Sequence, residues 1–133
     1  MFRYVFDAPV SPAALGDLRR AVGWNRMERD LSDPRLKRFM HLCAFEDNRL
    51  IGYAEVVSNG VTDAYIQDVM VLPEYQGRGI GTQLMERLLT RLDTEEIYMV
   101  SVIYGDASLR PFYEKFGFTT MLCGQRELRP GRI

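Results

Sequence analysis

The sequence is poor in cysteine and histidine, which excludes several kinds of site. Its 133 residues include two cysteines, Cys43 and Cys123, and one histidine, His41. Because the cysteines are far apart and show no metal-ligand spacing, they predict neither a disulfide framework nor a zinc site, and they favour a reducing compartment. We therefore expect a cytoplasmic protein without a bound metal ion, in which His41, within a predicted strand, has a structural role.

The sequence also lacks an excess of charge and a long hydrophobic run. Its 17 basic and 18 acidic residues leave a net charge of −1, which gives no general attraction to nucleic acid or to an anionic membrane. No stretch approaches the roughly 18 consecutive apolar residues of a membrane span. The apolar start, residues 1–7, is too short for a signal peptide. We predict that the protein binds neither nucleic acid nor membrane.

The composition that remains is that of one globular domain. Hydrophobic residues make up 47% of the chain and charged residues 26%, which are ordinary proportions for a folded protein. A chain of 133 residues buries roughly two thirds of its unfolded surface in a single core. We predict one domain over residues 1–133, without repeats, linkers or low-complexity tracts.

Hydrophobic periodicity predicts strands alternating with helices. An apolar residue at every fourth position from Ile80 to Leu92 indicates a helix, and the apolar run 97–103 indicates a buried strand. With the preceding strand, which Pro73 stops, they form a βαβ unit with parallel strands. The polar segment 25–39 is weakly helical and is interpreted as a mobile flap. Further strands are predicted at 2–6, 41–46, 50–57, 64–72, 118–122 and 125–128, and further helices from Pro12 to about Gly23 and over 107–115.

A glycine-rich loop lies between the fourth predicted strand and the helix that follows it. Three glycines within residues 77–81 free backbone N–H groups to converge at the positive end of that helix, which suits a phosphate. A nucleotide-triphosphate loop would need Lys and then Ser or Thr after its last glycine, but Gly81 is followed by Thr82. A dinucleotide fingerprint fails as well, because the position three beyond Gly79 is Thr82. A plain tight turn is the remaining alternative.

Residues on both sides of this loop, and a second motif further along, decide between these alternatives. The strand ends in Val71-Leu72-Pro73 and the loop reads Gln76-Gly77-Arg78-Gly79-Ile80-Gly81. About 30 residues later the chain reads Tyr113-Glu114-Lys115-Phe116-Gly117-Phe118. Together these motifs resemble the GCN5-related N-acetyltransferase (GNAT) superfamily, and the order of elements over residues 2–128 matches that family too. The resemblance implies an α/β (α+β) GNAT fold with a central mixed sheet of six to seven strands and about four flanking helices.

The resemblance also implies that acetyl-coenzyme A binds along this loop. In the family, N–H groups of the loop and of the first helical turn hold the pyrophosphate, while backbone groups at the end of the preceding strand pair with the pantetheine arm. The side chain of Arg78 either adds charge to the phosphates or is a solvated surface arginine. The cofactor-binding residues implied in this way are Met70, Val71, Gln76, Gly77, Arg78, Gly79, Ile80, Gly81 and Thr82, with Asp106 as a further candidate.

Two residues near the second motif have implied roles. Tyr113 matches the family tyrosine that acts as general acid toward the coenzyme A thiolate. A phenol of pKa about 10 stays protonated at neutral pH and can protonate a thiolate of pKa near 8.5. Asp106, seven residues earlier, stands where many relatives carry an asparagine, and an ionised carboxylate cannot donate a hydrogen bond. Cofactor contact and capping of the following helix are both open for Asp106.

The general base is not determined by the pattern. Strand alternation puts Tyr65 and Gln67 on one face of the strand 64–72 and Asp68 and Met70 on the other. Relatives with a strand base place it at positions that match Tyr65 or Gln67, and neither is a good base here, although Gln67 could orient a water. Asp68 and Glu55 are the carboxylate candidates, and a solvated or paired charge is the alternative for each.

The acceptor pocket lies, by the same resemblance, between the first helices and the central strands. Trp24, Asn25 and Glu28 are candidates to line it, and a carboxylate there would favour a cationic amine. Trp24 is equally well explained as a packing anchor. The predicted substrate contacts are therefore Trp24, Glu28, Tyr65, Gln67 and Asp68.

We accordingly expect an enzyme that transfers the acetyl group of acetyl-coenzyme A to a primary amine of a small molecule. Transfer is expected to be direct, because no cysteine lies in either motif to carry the acetyl group. A non-catalytic acyl-coenzyme A-binding or sensing module and a protein or peptide acetyltransferase are the alternatives. The apolar last strands and the family habit of pairing also suggest a homodimer.

Overall fold

The computed structural model describes residues 1–131, in which a mixed β-sheet is combined with helices. The order of strands and helices confirms the predicted α/β fold. The strands are β1 (Phe2–Phe6), β2 (Met40–Glu46), β3 (Arg49–Ser58), β4 (Asp63–Val71) and β5 (Met99–Val102), and the α-helices are α1 (Pro12–Ala21), α2 (Glu28–Leu31), α3 (Ile80–Thr94) and α4 (Arg110–Glu114). Single 3-10 turns occupy Pro73–Tyr75 and Ala107–Leu109.

The five strands lie in the order β1-β2-β3-β4-β5. The first three neighbouring pairs are antiparallel, and β4 and β5 are parallel, with Asp63 opposite Met99 and Ile66 opposite Val102. Because parallel neighbours need a crossover, α3 connects β4 to β5 as the sequence predicted. The glycine loop therefore follows β4 directly and leads into the crossover helix.

Helix α3 packs closely on the sheet, and its apolar stripe forms much of the core. Ile80, Leu84 and Leu88 are at most 1% exposed, and α3 contacts β2, β3 and β4. At Gly52 of β3 an added Cβ would lie 3.1 Å from Cγ2 of Ile80 and 3.3 Å from Cβ of Ala44. The absence of a side chain at Gly52 thus lets the first turn of α3 approach the sheet.

Helix α1 begins as the sequence predicted and contacts β3 and β4. Ser11 is the N-cap, its hydroxyl accepts a hydrogen bond from the Ala14 N–H at 3.0 Å, and a proline follows it. Leu15 and Leu18 are 2% exposed and join the core. Because β3 alternates, Tyr53 and Glu55 face away from the side on which Gly52 meets α3.

The two strands predicted near the C-terminus are wrong, and the sheet formed by residues 1–131 has five strands rather than six or seven. Residues 118–122 and 125–128 form no ladder. Met121 and Leu122 are 82% and 104% exposed, so their apolar pattern is not matched by burial. A short apolar run becomes a strand only when a neighbouring edge is in register with it, and the sequence pattern does not contain that information.

Candidate functional site

A gap between β4 and β5 defines the candidate site. Their parallel ladder ends where Ile66 faces Val102, but β4 continues to Val71. Beyond Ile66 the edge of β4 that faces β5 has no strand partner among residues 1–131. The opposite edge stays paired with β3 through Met70 and Val71. Backbone groups along the unpaired edge can pair with an extended ligand, although the Val71 carbonyl at its end already accepts a hydrogen bond from the Gln76 side chain. The predicted pantetheine contacts, Met70 and Val71, lie on this stretch.

A β-bulge separates the two parts of β4. Gln67 is paired with Glu55, and Met70 is paired with Tyr53. One residue of β3, between Tyr53 and Glu55, therefore lies opposite two residues of β4, between Gln67 and Met70. Asp68 lies in the bulge with φ of 54°, in the left-handed region that non-glycine residues seldom occupy and that Asp adopts more readily than most. A bulge bends its strand and redirects its side chains. It accounts for the divergence of β4 from the direction of β5.

The bulge also overturns the predicted division of β4 into faces. Gln67 and Met70 were predicted on opposite faces. They are paired with Glu55 and Tyr53, which lie two residues apart on β3 and so share one face of the sheet. Asp68, predicted opposite Gln67, reaches α1 instead. Strict alternation assumes two residues per pleat, and one extra residue reverses the assignment for everything beyond it.

A buried carboxylate organises the face of the sheet that α1 covers. Glu55 is 3% exposed. Its Oε1 accepts hydrogen bonds from the Tyr53 hydroxyl at 3.0 Å and Arg38 Nε at 3.3 Å, and its Oε2 accepts one from Gln67 Nε2 at 2.8 Å. Burial raises the pKa of Tyr53, and the Glu55 charge raises it further, so the phenol stays a donor. Both oxygens of Glu55 are therefore occupied, and Gln67 is held in place by one of them.

A second carboxylate, Asp68, is linked to the loop after α1. Arg19 Nη1 donates to Asp68 Oδ2 at 3.1 Å, while Arg19 Nε donates to the Asn25 carbonyl at 2.7 Å. The same guanidinium lies over the Trp24 ring, 5.3 Å from its centroid. Trp24 is 40% exposed, so it is partly available to a ligand and partly packed. Arg19, which the sequence did not single out, connects the predicted acceptor wall to the bulge.

The structure gives less support to the two other predicted substrate contacts, Glu28 and Tyr65. Glu28 opens α2 and is exposed, and its carboxylate accepts from Arg26 Nη2 at 2.9 Å. Tyr65 lies half-buried on β4, where burial raises its pKa and the Asp68 charge raises it further. Substrate contact for these residues stays a prediction.

The glycine loop is shaped to hold an anion. Gly77 and Gly79 have φ of 77° and 82°, and an added Cβ at either would meet nothing within 4 Å. Gly79 is the N-cap of α3 and supplies no side-chain hydrogen bond to the first turn. The first N–H groups of a helix have no partner within it, so a phosphate outside the loop can accept from them. The residues present thus fit the predicted pyrophosphate.

Two long side chains of the loop turn away from this cradle. The Arg78 guanidinium lies over the rings of Phe2 and Tyr75, 5.0 and 5.1 Å from their centroids. Gln76 Nε2 donates to the Val71 carbonyl at 3.0 Å. In this arrangement both side chains brace the loop, and any phosphate contact of these residues is left to the backbone.

Lys115 is a cation near the loop to which the sequence assigned no role. Its Nζ donates to Thr82 Oγ1 at 3.0 Å and lies 4.8 Å from the centroid of the Phe112 ring. Thr82 belongs to the first turn of α3, so Lys115 brings positive charge to the anion cradle. Its position within the second motif was the only signal in the sequence.

Tyr113 lies at the other side of the gap, in an aromatic cluster. It is 8% exposed and stacks on Tyr104 with centroids 4.8 Å apart, and Phe112 and Phe118 meet it edge-on. Burial raises the pKa of Tyr113, and the neighbouring Tyr104 and Tyr65 raise it further. The phenol is therefore protonated at neutral pH, as a general acid requires.

Asp106 acts as a cap. Its Oδ1 accepts a hydrogen bond from the Ser108 N–H at 2.9 Å at the start of the turn Ala107–Leu109. This bond lowers the pKa of Asp106. Of the two predicted alternatives capping is confirmed, and contact with the cofactor stays a prediction.

The described part of the chain holds neither a cluster of metal ligands nor a membrane-spanning helix. Residues 1–131 contain no group of three or more His, Cys, Asp or Glu side chains that could hold a metal ion. No helix in the same range is long and apolar enough to cross a membrane. The predicted absence of a metal stays a prediction.

Comparison with known sequences gives a consistent result. Residues 9–118 match the model of the acetyltransferase (GNAT) family. An uncharacterized N-acetyltransferase ycf52-like of Prochlorococcus marinus is 33% identical over 117 residues, which cover 84% of this chain and 64% of that protein. GCN5-related N-acetyltransferase 2, chloroplastic, of Arabidopsis thaliana is 38% identical over 73 residues, which cover 55% of this chain and 28% of that protein. The chain thus spans between 28% and 64% of the length of these curated relatives.

A solved structure shares the fold over nearly the whole chain. The crystal structure of a probable acetyltransferase from meticillin-resistant Staphylococcus aureus superposes with a TM-score of 0.80 at 25% identity. The match covers 97% of this chain and 99% of that one. The mixed sheet with its crossover helix is therefore the architecture of that protein as well.

Proposed function

Because the chain belongs to the acetyltransferase (GNAT) family, we propose that it is an N-acetyltransferase that moves the acetyl group of acetyl-coenzyme A to a primary amine of a small molecule. The observation that carries this proposal is the unpaired edge of β4 beyond Ile66, which leads into the loop 77–81. A ligand with a pyrophosphate at one end and amides along an extended arm complements both features. Acetyl-coenzyme A is such a ligand.

Different residues are proposed to bind the pyrophosphate and the pantetheine arm of this co-substrate. N–H groups of the loop and of Ile80, Gly81 and Thr82 receive the pyrophosphate, and Lys115 adds charge beside Thr82. The backbone of Met70 and Val71 pairs with the arm. The thioester then lies near the bulge, between β4 and the Tyr113 cluster.

Direct transfer is supported by the state of the two cysteines. Cys43 is fully buried, and burial raises the pKa of its thiol to about 11, so it is not a nucleophile. Cys123 is exposed in the segment after α4, outside both motifs. The amine therefore attacks the thioester itself, and Tyr113 protonates the departing thiolate. Since both cysteines are free thiols, a reducing compartment such as the cytoplasm belongs to the same proposal.

The first experiment mixes the protein with acetyl-coenzyme A and a panel of primary amines, and measures thiol release. Polyamines, amino sugars, amino acids and peptides with free N-termini form the panel. We expect release well above hydrolysis with at least one small amine. Release with peptides alone would replace the small-molecule acceptor by a protein, and tight binding without release would indicate a non-catalytic acyl-coenzyme A-binding module.

The loop assignment is tested by Gly79→Asp. The variant places a carboxylate where the structure has open space and where the phosphates are expected, so calorimetry should show at least a tenfold weaker binding of acetyl-coenzyme A. Gly23→Asp is the matched control, because Gly23 also has positive φ, at 89°, and also has nothing within 4 Å of an added Cβ. Equal affinities for the two variants would remove the loop from the binding site.

A further inference from the structure

Asp68 lies on the part of β4 that borders the gap, and Arg19 links it to the predicted acceptor wall. It lies two residues beyond the last parallel pair, at Ile66, and its left-handed backbone turns the strand there. Left-handed conformations are unfavourable for a non-glycine residue and persist where the surrounding structure requires them. Here the carboxylate is held by Arg19, which also binds the carbonyl of Asn25.

The two oxygens of Asp68 are used differently. Oδ2 accepts from Arg19 Nη1, whereas no hydrogen bond to Oδ1 is found among residues 1–131. The Asp68 side chain is 27% exposed. The other carboxylate of this face, Glu55, has a side chain 5% exposed and both oxygens bonded. Of the two, Asp68 is the carboxylate that an incoming ligand can reach.

We propose that Asp68 is the proton acceptor of the transfer reaction, and that its Oδ1 oxygen receives the ammonium group of the acceptor. This inference rests on the proposed acetyltransferase function. Neither Tyr65 nor Gln67, the positions suggested by the family pattern, carries a group that is basic at neutral pH. The bulge places a carboxylate on this part of the strand, one residue beyond Gln67.

Asp68 takes one proton from the ammonium, and the freed lone pair forms the N–C bond to the acetyl carbon. The C–S bond breaks as the intermediate collapses, and Tyr113 gives its proton to the departing thiolate. The second proton of the nitrogen restores Tyr113 through solvent, and Asp68 releases its own proton to solvent. The net products are amide, thiol and one proton.

The charges around Asp68 suit this role. Burial raises its pKa and the nearby Glu55 raises it further, while Arg19 on α1 and Arg38 before β2 lower it. Tyr65 on β4, the other titratable group that interacts with Asp68, stays neutral because its pKa is raised. The carboxylate is thus more basic than an exposed one, and the ion pair with Arg19 favours its charged form. Because a base acts only when ionised, kcat/KM rises with pH through the raised pKa of Asp68.

The test is Asp68→Asn, assayed with the best amine from the panel. Asn tolerates the left-handed conformation and still accepts from Arg19, but it cannot take a proton. We expect kcat at neutral pH to fall by about 10²–10⁴-fold, with unchanged affinity for acetyl-coenzyme A. The loss should shrink as the pH approaches the pKa of the amine, because the amine then arrives unprotonated. A merely structural role would not give this pH dependence.

Asp47→Asn is the matched control, since Asp47 is an exposed aspartate with φ of 53° in the turn between β2 and β3. It should retain the wild-type rate and pH profile. If Asp68→Asn does not fold, Asp68→Gly keeps the backbone conformation and should show the same pH-dependent loss. An active wild type whose Asp68→Asn variant has the same rate and profile overturns Asp68 alone. A wild type that binds acetyl-coenzyme A and acetylates no amine overturns the proposed function and this inference with it.

Discussion

At the scale of single residues, the two cations near the phosphate loop show what a motif can and cannot predict. Arg78 lies inside the loop motif, yet its guanidinium packs on Phe2 and Tyr75. Lys115 lies in another motif and bonds Thr82 at 3.0 Å. Long cationic side chains have many rotamers, and their direction depends on the aromatic and polar groups that the fold brings near them. Sequence position alone therefore does not locate their charge.

Tyr113 was located from its motif, and its role can be separated from its packing. Tyr113→Phe keeps the aromatic cluster and removes only the hydroxyl. We expect kcat to fall by about 10²-fold, with little change in the KM for acetyl-coenzyme A, because the proton is needed in the transition state for thiolate departure. Steady-state kinetics with saturating amine measures both constants.

Tyr104→Phe is the control for that substitution. Tyr104 stacks on Tyr113, but its hydroxyl is paired with Thr120 Oγ1 at 2.9 Å, outside the gap. Because that hydroxyl is already paired with Thr120, its removal should leave kcat unchanged. A Tyr113→Phe enzyme as fast as the wild type would exclude Tyr113 as the acid and leave it as a packing residue.

At the scale of elements, the contact between β3 and α3 positions the phosphate loop. Gly52 lets Ile80, the first residue of α3, approach the sheet, and the Met70 carbonyl lies 3.3 Å from the position of an added Cβ. Both Ile80 and Met70 belong to the predicted co-substrate site. Packing in the core is therefore coupled to the geometry of the loop and of the unpaired strand edge.

Gly52→Val tests this coupling. The larger side chain must displace α3, and overpacking of this kind costs about 1–3 kcal/mol. We expect a lower Tm in thermal unfolding and weaker binding of acetyl-coenzyme A by calorimetry. Gly124→Val is the control, because an added Cβ at Gly124 meets nothing within 4 Å. Normal Tm and affinity in Gly52→Val would show that the loop does not depend on this contact.

At the scale of the whole molecule, the segment after α4 exposes large apolar side chains to solvent. Met121, Leu122 and Leu128 are 82%, 104% and 66% exposed. Clustered exposed apolar groups are typical of contact surfaces. We propose that a second copy of this chain covers them, which is the homodimer that the sequence suggested.

Sedimentation velocity over a range of concentrations tests the dimer. We expect a species of twice the monomer mass that dissociates when Met121 and Leu122 are both replaced by Ser. Val61→Ser is the control, since Val61 is 68% exposed in the turn between β3 and β4. A monomer at every concentration, or an equal effect of Val61→Ser, would contradict the proposal.

The sequence by itself determined the family, the order of elements, the parallel crossover and the loop that follows β4. These features depend on local signals, such as the periodicity of α3, the stop at Pro73 and the glycines that release backbone N–H groups. It also located Tyr113, because two motifs in the right order identify a family position.

Only the tertiary structure decided the rest. The bulge at Asp68, the number of strands, the Arg19 bridge and the position of Lys115 depend on contacts between segments distant in sequence. Alternation of apolar and polar residues along a strand does not indicate where an extra residue is inserted. Here that insertion moves the Asp68 carboxylate to the face that carries Gln67. Register and side-chain direction are set by the partner that a segment meets, and a sequence read along its own length does not contain that partner.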